Sequence, residues 1–336
     1  MPKVTVLMPT YNVAPYVKEA VESVLRQTYD DFELLVIDDC STDNTLDVVR
    51  EVDDSRIRVV RNERNLGLAD NLNRGLSLIT TEYVARMDGD DIALPYWLEK
   101  EMNYLESHPE VGICGGGGER FGTTTSTILF PERHEDIAVN MLFQCTIIVP
   151  TFRMSLYHKD GLRYRSDAFP AEDYRFWADA LEVTRLHNIG ETLFRYRMHS
   201  TQICSSRKEE QLGKVVEVQK QVLGHIVGMT SEDVEYFTGP FIERIGSPED
   251  LRRRRVFANR LLTLNSVKGF FNSKSLRRRL SFEIQQNLYQ TIVSQYFNKS
   301  YGLSAYLRYL KSGLALRTGW HYEMRFFLKS MMRLNR

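Results

Sequence analysis

Short apolar runs alternate with longer amphipathic stretches along the first ninety residues. The runs cover residues 4–8, 32–37 and 57–60, and a fourth begins at Tyr83. In the stretch after the first run, apolar residues recur every three or four positions, which is the spacing of one helix face. They are Val13, Val17, Ala20, Val21, Val24 and Leu25. Strands that alternate with such helices predict an α/β domain with a Rossmann-like, doubly wound, mostly parallel sheet.

Polar residues follow each of the four runs, where a strand would end. They are Pro9, Thr10 and Tyr11, then Asp38 and Asp39, then Asn65 and Gly67, and last Asp88, Gly89, Asp90 and Asp91. Doubly wound sheets bind ligands at the carboxyl ends of their strands, so these residues predict one shared site. The first turn has neither the glycine fingerprint of dinucleotide folds nor a P-loop, so a nucleotide would be held differently.

Three carboxylates, Asp88, Asp90 and Asp91, surround Gly89 at the end of the fourth run. Carboxylates at this density repel one another unless a divalent cation or a polar turn relieves them. Mg²⁺ or Mn²⁺ held by one or two carboxylates usually completes its shell with substrate phosphates. The alternative is an ordinary acidic surface turn, since Asp and Gly are common turn residues.

The middle of the chain is expected to complete the same domain, with a helix over 95–108, a strand over 111–114 and a helix from 131 through Leu142. Four consecutive glycines, residues 115–118, predict a loop that approaches a ligand closely or a plain linker. His134, Glu135 and Asp136 point in different directions on a helix, so we interpret them as capping and first-turn residues and not as metal ligands.

Charge separates the chain into two parts. Its 336 residues are enough for two domains, and 43% hydrophobic and 26% charged residues are typical of a globular protein. The formal net charge is zero, but residues 207–336 contain 23 Lys and Arg against 11 Asp and Glu, a net of +12, which leaves −12 for residues 1–206. We predict a first domain over 1–206 and a basic, mainly helical region over 207–336.

Beyond residue 250 there are 18 basic and 2 acidic residues. Aromatic residues lie among the Lys and Arg, at Tyr301, Tyr306, Tyr309, Trp320, Phe326 and Phe327. This combination is typical of an interfacial helix on an anionic membrane. Nucleic acid is an alternative partner, although no recognition motif accompanies the charge. The other alternative is a helical subdomain that covers the sheet or forms a homodimer.

The cysteines predict a reducing compartment. Cys40, Cys114, Cys145 and Cys204 are far apart and form neither a zinc pattern nor a disulfide framework. The sequence shows no leader-like start and no window of 18 apolar residues. We expect a cytoplasmic protein, peripheral at the inner face of the cytoplasmic membrane.

Four ordered segments resemble motifs of the family 2, GT-A fold glycosyltransferases. They are LMPTYN (7–12), VIDDCSTDNT (36–45), NLGL (65–68) and DGDD (88–91). The resemblance covers about residues 1–200 and implies that Thr10, Tyr11 and Asp39 bind the uridine of a UDP-sugar donor. The full donor-binding set that we predict is Pro9, Thr10, Tyr11, Asp38, Asp39, Asn65, Gly67, Arg86, Asp88 and Gly89. Asp90 would hold Mn²⁺ or Mg²⁺ on the diphosphate, with Asp88 near the ribose or the metal.

One position departs from the family. Leu72 stands where the family often has an Arg before Asn73, and Arg86 or Arg74 is the candidate to supply that cation.

The segment AEDYRFW (171–177) resembles the part of the family that holds the catalytic base. By resemblance Asp173 takes the proton of the acceptor hydroxyl, and Glu172 contacts the acceptor or the donor sugar. The alternative is that both acids stabilise a helix start. Trp177 is a candidate platform for an acceptor sugar ring, with core packing as its alternative.

YRMH (196–199) resembles the closing Y-R-x-H of the family, which implies that His199 binds the metal or the diphosphate. A structural role is the alternative for this single histidine.

Segments 83–93, 133–138, 161–164, 171–177 and 196–199 resemble bacterial lipooligosaccharide β-1,3-N-acetylglucosaminyltransferases. The resemblance implies transfer of N-acetylglucosamine from UDP-GlcNAc to a terminal galactose of a glycan or glycolipid. We therefore predict a metal-dependent inverting glycosyltransferase. The alternatives are a β-galactosyl- or β-glucosyltransferase of the same family, and a non-catalytic protein that binds sugar nucleotides or nucleic acid.

Overall fold

The computed structural model describes residues 2–199, 202, 207–243, 245–297, 303–315, 317 and 319–331. Cys204 and Tyr301, which were singled out above, lie outside this part of the chain. The chain divides into two compact units, Met1–Gln219 and Lys220–Arg336. The change in sequence character had predicted a division between residues 206 and 207.

The elements of the first unit alternate as its hydrophobic pattern predicts. In chain order they are β1 (Val4–Thr10), α1 (Ala14–Leu25), β2 (Phe32–Asp38), α2 (Thr45–Arg50), β3 (Ile57–Arg61), α3 (Leu68–Ser77), β4 (Tyr83–Arg86), β5 (Ile92–Ala93), α4 (Trp97–Ser107), β6 (Val111–Gly122), β7 (Ser126–Ile128), α5 (His134–Asn140), β8 (Thr151–Arg153), α6 (Ser155–His158), a 3-10 turn (Ser166–Ala168), α7 (Glu172–Ala180) and β9 (Arg185–Met198). The next helix, α8 (Lys208–Leu223), contains the division between the units.

In the described part of the first unit, nine strands form one sheet in the order β3-β2-β1-β4-β8-β6-β9-β5, with β7 paired to β6. The strands β3, β2, β1 and β4 are parallel, which confirms the α/β class. All seven residues of β1 are buried, as in a parallel strand that is covered on both faces. β8 is antiparallel to both of its neighbours, and it is too short to show as an apolar run.

The glycine run 115–118 is strand, so its interpretation as a loop or linker is wrong. These residues lie within β6 and are buried. A Cβ on Gly117 would lie 2.8 Å from the carbonyl oxygen of Glu191, and one on Gly118 would lie 2.6 Å from the ring of Phe194. Glycine is therefore required because β9 approaches β6 too closely for a side chain.

The helix that begins at His134 has no metal cluster in the described structure. Glu135 pairs with Arg185 at 2.6 Å, and Asp136 pairs with Arg133 at 3.0 Å. His134 Nδ1 accepts a hydrogen bond from the backbone of Leu186. The three residues thus point apart, as expected from their positions on a helix.

The described part of the second unit is helical. Its elements are the end of α8, then α9 (Ser231–Tyr236), a π-turn (Phe237–Phe241), α10 (Pro248–Lys268), α11 (Ser273–Ile292), a second π-turn (Val293–Phe297), α12 (Leu303–Leu310) and α13 (Trp320–Met331). Arg254 is 1% exposed and its guanidinium donates to Asp250 at 3.0 Å and to the carbonyl of Phe241 at 2.7 Å. None of the helices that the structure describes combines the length and the hydropathy needed to span a bilayer.

Candidate active site

A cavity of about 970 Å³ lies at the carboxyl ends of β1, β2 and β4, a size typical of small-molecule sites. Most of the predicted site residues line it. They are Pro9, Thr10, Tyr11, Asp39, Asn65, Gly67, Arg86, Asp88, Gly89, Asp90, Glu172, Asp173, Trp177 and His199. The topology therefore brings together residues that are up to 190 positions apart in the sequence.

Asp38 is the predicted residue that does not line the cavity. Its side chain is fully buried and accepts hydrogen bonds from the backbone and the hydroxyl of Ser41, at 3.0 Å and 2.5 Å. Thr10 Oγ1 donates to the same carboxylate at 3.3 Å. Asp38 thus joins the end of β1 to the loop after β2. This contact holds in place the part of the cavity lining that Pro9, Thr10 and Tyr11 form.

Asp39 holds the loop that contains Asn65 and Gly67. Its carboxylate accepts from the backbone N–H groups of Leu66, at 2.8 Å, and Gly67, at 2.9 Å. Gly67 has φ +86°, a conformation that L side chains rarely adopt. The N-x-G pattern is therefore explained by a turn that wraps a buried carboxylate.

Two asparagines in the cavity wall were not among the predicted site residues, although Asn12 ends the motif LMPTYN. Asn71 in α3 accepts from Asn62 Nδ2 at 2.8 Å and donates to the carbonyl of Ile37. Asn12, at φ 54°, accepts from the backbone of Thr42 at 2.8 Å and joins the loops after β1 and β2. A buried amide in the middle of an amphipathic helix was the available signal for Asn71.

The three acids after β4 go to three different partners. Asp88 Oδ1 lies 3.2 Å from Arg86 Nη2. Asp90 Oδ2 lies 3.0 Å from His199 Nε2, which joins the turn to the end of β9. Asp91 is 1% exposed and accepts from the backbone of Arg197 at 2.8 Å, so it braces the turn from behind.

Burial raises the pKa of Asp90 above its ordinary value, the neighbouring charge of Asp88 raises it further, and the contact with His199 lowers it. Burial also raises the pKa of Asp91 well above its usual range, and Asp90 adds to the effect. The turn therefore concentrates negative charge that a cation would relieve.

Arg86 lies between this turn and the first turn of α7. Its guanidinium is nearly buried and lies 5.7 Å from the ring of Tyr164. Burial lowers the pKa of Arg86, but the surrounding acids, Asp88 first, outweigh that effect and hold it well above its ordinary value. Arg86 lines the cavity and Arg74 does not, so Arg86 is the better candidate for the cation that the family often places after N-x-G.

Glu172 and Asp173 open α7 and face the cavity. Burial, followed by the charge of Asp173, raises the pKa of Glu172 to about 7. Burial also raises the pKa of Asp173, whereas the charge of Arg86 lowers it. Two neighbouring carboxyls whose pKa is raised, under the influence of one nearby cation, are typical of groups that transfer protons.

Trp177 borders the cavity but is only 1% exposed. Its ring lies 4.8 Å from Phe176 and 5.9 Å from Phe152 in edge-to-face contacts. These contacts favour core packing over a role as a platform for a sugar.

Asp90 and His199 are the donors best placed for a divalent cation. Among the described residues, no group of three or more His, Cys, Asp or Glu converges as a ready-made metal site. A carboxylate oxygen and an imidazole nitrogen 3.0 Å apart, with Asp88 two residues away, nevertheless suit an ion such as Mn²⁺. Such an ion would take its other ligands from phosphate and water.

The fold and the site together are those of a sugar-transferring enzyme, and comparison with known proteins shows the class. Residues 5–165 match the model for Glycosyl transferase family 2. An uncharacterized glycosyltransferase of Haemophilus influenzae is 33% identical over 250 residues, which cover 70% of this chain and 77% of the relative. The chain belongs to glycosyltransferase family 2.

Two further proteins are informative. The Escherichia coli UDP-Glc:alpha-D-GlcNAc-diphosphoundecaprenol beta-1,3-glucosyltransferase WfgD is 29% identical over 229 residues, covering 67% of this chain and 86% of the relative. The structure of S. aureus TarS 1-349 in complex with UDP-GlcNAc is similar in fold, with a TM-score of 0.58 at 16% identity, covering 98% of this chain and 92% of that chain. The GT-A-like fold is thereby confirmed.

Proposed function

We propose that the protein is a metal-dependent, inverting glycosyltransferase that moves N-acetylglucosamine from UDP-GlcNAc to a terminal galactose, in β-1,3 linkage, on a bacterial surface glycan such as lipooligosaccharide. The observation that supports the proposal is a single cavity that is lined both by the polar strand ends and by the acidic pair Glu172 and Asp173. TarS, with the same fold, binds UDP-GlcNAc, and WfgD uses a UDP-sugar and forms a β-1,3 linkage.

In this proposal the strand ends bind the donor. Thr10, Tyr11 and Asp39 contact the uridine, and the hydrogen bonds of Asp38 to Thr10 and Ser41 hold this part of the site in place. Asp90 and His199, with Asp88 near them, hold Mn²⁺ or Mg²⁺. Such an ion, when bound, offsets the charge that develops on the departing diphosphate.

Asp173 accepts the proton of the attacking hydroxyl. The donor is α-linked, so one displacement opposite the leaving group gives a β product. Glu172 contacts the acceptor or the donor sugar beside the base. Arg86 favours the ionised form of Asp173, which is the form that can act as a base.

The acceptor is proposed to be a glycan on a lipid carrier, reached at the inner face of the cytoplasmic membrane. WfgD takes an acceptor linked to diphosphoundecaprenol, which supports a membrane-bound substrate. The basic region over residues 207–336 supplies charge complementary to anionic lipid.

Glucosyl transfer is the second candidate, because WfgD is a β-1,3-glucosyltransferase. A thermal-shift panel of UDP-sugars, each with and without Mn²⁺, separates the two, since selective binding stabilises the folded state. We expect the largest Mn²⁺-dependent increase in melting temperature with UDP-GlcNAc. A larger increase with UDP-glucose would favour the glucosyl alternative, and no increase with any UDP-sugar would overturn the proposal.

Asp173→Asn tests the mechanism because it keeps the shape of the side chain and removes its basicity. The variant should bind UDP and Mn²⁺ normally but lose about 10² to 10⁴-fold in rate. Asp179→Asn, in the same helix but outside the cavity, is the matched control and should retain activity. An α-linked product by NMR, or a near-normal rate for Asp173→Asn, would show that this mechanism is wrong.

A further inference from the structure

The helices α12 and α13 each carry a row of apolar side chains that face solvent. The exposed residues are Leu303, Leu307 and Leu310 in α12, and Trp320, Met324, Phe327, Leu328 and Met331 in α13. Their exposed fractions run from 39% for Phe327 to 78% for Trp320. The spacing of three and four residues puts each row on one side of its helix. We call these eight residues the apolar stripe.

The apolar stripe is not an unpacked core face, because the other sides of both helices are already packed. Phe326 lies 5.0 Å from Phe297 in the second π-turn and 5.6 Å from Tyr289 in α11. The Tyr309 hydroxyl lies 2.7 Å and 2.8 Å from the two carboxylate oxygens of Glu323, a buried contact that joins α12 to α13. Both helices are thus anchored within the second unit while the stripe stays exposed.

Positive charge accompanies the apolar stripe. Residues 303–331 contain five basic side chains, Arg308, Lys311, Arg317, Arg325 and Lys329. The one acidic residue in this range, Glu323, is buried against Tyr309. Arg255 of α10 also reaches the carbonyl of Arg317, in the connection between the two helices. The surface around the stripe therefore has a positive sign.

We propose that the apolar stripe docks on an anionic lipid bilayer, with its Leu, Trp, Phe and Met side chains in the interface and the basic side chains on lipid headgroups. Apolar and basic residues in this combination bind lipid surfaces by burial and by charge together. The proposal rests on the membrane-bound acceptor of the proposed function and names the surface that reaches it.

A second copy of the chain fits this surface less well. In a twofold dimer the same patch meets itself, so basic side chains would face basic side chains. Like charges across an interface oppose association, whereas anionic headgroups neutralise them. The basic side chains beside the apolar stripe thus favour binding to lipid over self-association.

The test is co-sedimentation of the full chain with phosphatidylcholine vesicles, with and without phosphatidylglycerol, in the absence of donor and acceptor. We expect binding that depends on the anionic lipid. Leu307→Glu/Phe327→Glu should lower the partition coefficient at least about tenfold, since two apolar side chains that would enter the lipid interface are replaced by charges. Arg308→Gln/Lys311→Gln/Arg325→Gln should lower it about fivefold for each charge on anionic vesicles only.

Val183→Glu, which alters an exposed apolar residue of the first unit, is the matched control and should bind as the unaltered chain does. Equal binding by the stripe variant, or no vesicle binding by the unaltered chain, would overturn the proposal. So would a dimer in sedimentation velocity that the stripe variant disperses in the absence of vesicle binding. Transfer to a soluble acceptor reports separately on the proposed function, because vesicle binding is measured without turnover.

Discussion

Arg86 shows how one residue can set the chemistry of several others. It pairs with Asp88, on the side of the proposed donor, and its charge reaches Glu172 and Asp173, on the side of the proposed acceptor. Because it is nearly buried, its charge is poorly screened by water. Burial raises the pKa of both carboxyls, whereas the charge of Arg86 favours the ionised form of both.

Replacing Arg86 should change the pH dependence of the reaction. Arg86→Gln removes the charge that lowers the pKa of Asp173, so the base needs a higher pH to ionise. We expect the rising limb of the rate profile to move toward alkaline pH, with the rate falling about tenfold per pH unit on the acid side of that limb. Arg74→Gln, outside the cavity, is the control, and an unmoved limb in Arg86→Gln would contradict this role.

Glu172→Gln should stabilise the fold at alkaline pH. The pKa of Glu172 is about 7 in the folded protein, above its ordinary value, so the folded state binds the proton more tightly than the unfolded state. Stability from this group is present at acid pH and is lost as pH rises through 7. The variant should gain at most about 3 kcal/mol at pH above about 8 and little near pH 5.

Denaturant unfolding at the two pH values measures this difference. Glu51→Gln, at an exposed position, is the control and should show no such pH-dependent gain. The same gain at both pH values would contradict the pKa argument.

Among the elements, β6 is where local sequence and structure disagree most. Four glycines in a row weaken a strand, yet β6 holds β8 on one side and β9 on the other. The close approach of β9, whose register with β6 shifts at Gly116 and Gly117, explains why side chains are excluded.

Gly117→Ala should therefore destabilise the protein by about 1 to 3 kcal/mol, because its Cβ would meet the backbone oxygens of Glu191 and Ile128. Gly213→Ala is the matched control. Gly213 lies in α8 with nothing within 4 Å of its Cβ position, so this change should be neutral or gain up to about 1 kcal/mol. Equal stability of the two variants in denaturant unfolding would contradict this prediction, because it would mean that β9 can move to make room for the methyl group.

At the scale of the whole molecule, charge divides between the two units. Residues 220–336 contain 20 Lys and Arg against 8 Asp and Glu, a net of +12, so residues 1–219 carry −12. A negative unit repels an anionic surface and a positive unit attracts it. Binding to such a surface should depend on the second unit.

Salt should consequently slow transfer to an acceptor embedded in anionic vesicles more than transfer to a soluble acceptor. The Debye length falls from about 10 Å at 0.1 M salt to about 3 Å at 1 M, which screens exposed charge more than buried charge. We expect a loss of several-fold with the vesicle acceptor and less than about twofold with the soluble one. Parallel salt titrations of both rates are the measurement, and equal losses would contradict a charge-driven role for the second unit.

The hydrophobic pattern by itself determined the parallel half of the sheet and the edge at which the site lies. Buried parallel strands appear in the sequence as apolar runs, and the polar residues at the end of each strand follow directly after the run. The local spacing is therefore enough to predict both. The acids after β4 were visible for the same reason, and the acids at the start of α7 were found in a segment that resembles the family. Family resemblance then connected the two groups and suggested their roles.

The tertiary structure decided which of these side chains share a surface and which are supports. Asp38, the last residue of β2, is buried in hydrogen bonds with Ser41 and Thr10, whereas Asp39, the first residue after the strand, holds the loop at Leu66 and Gly67. The glycines of β6 could not be recognised as strand, because their partner, β9, lies some seventy residues further along the chain. Contacts between distant segments depend on tertiary packing, so they cannot be predicted from the local pattern of hydrophobic and polar residues.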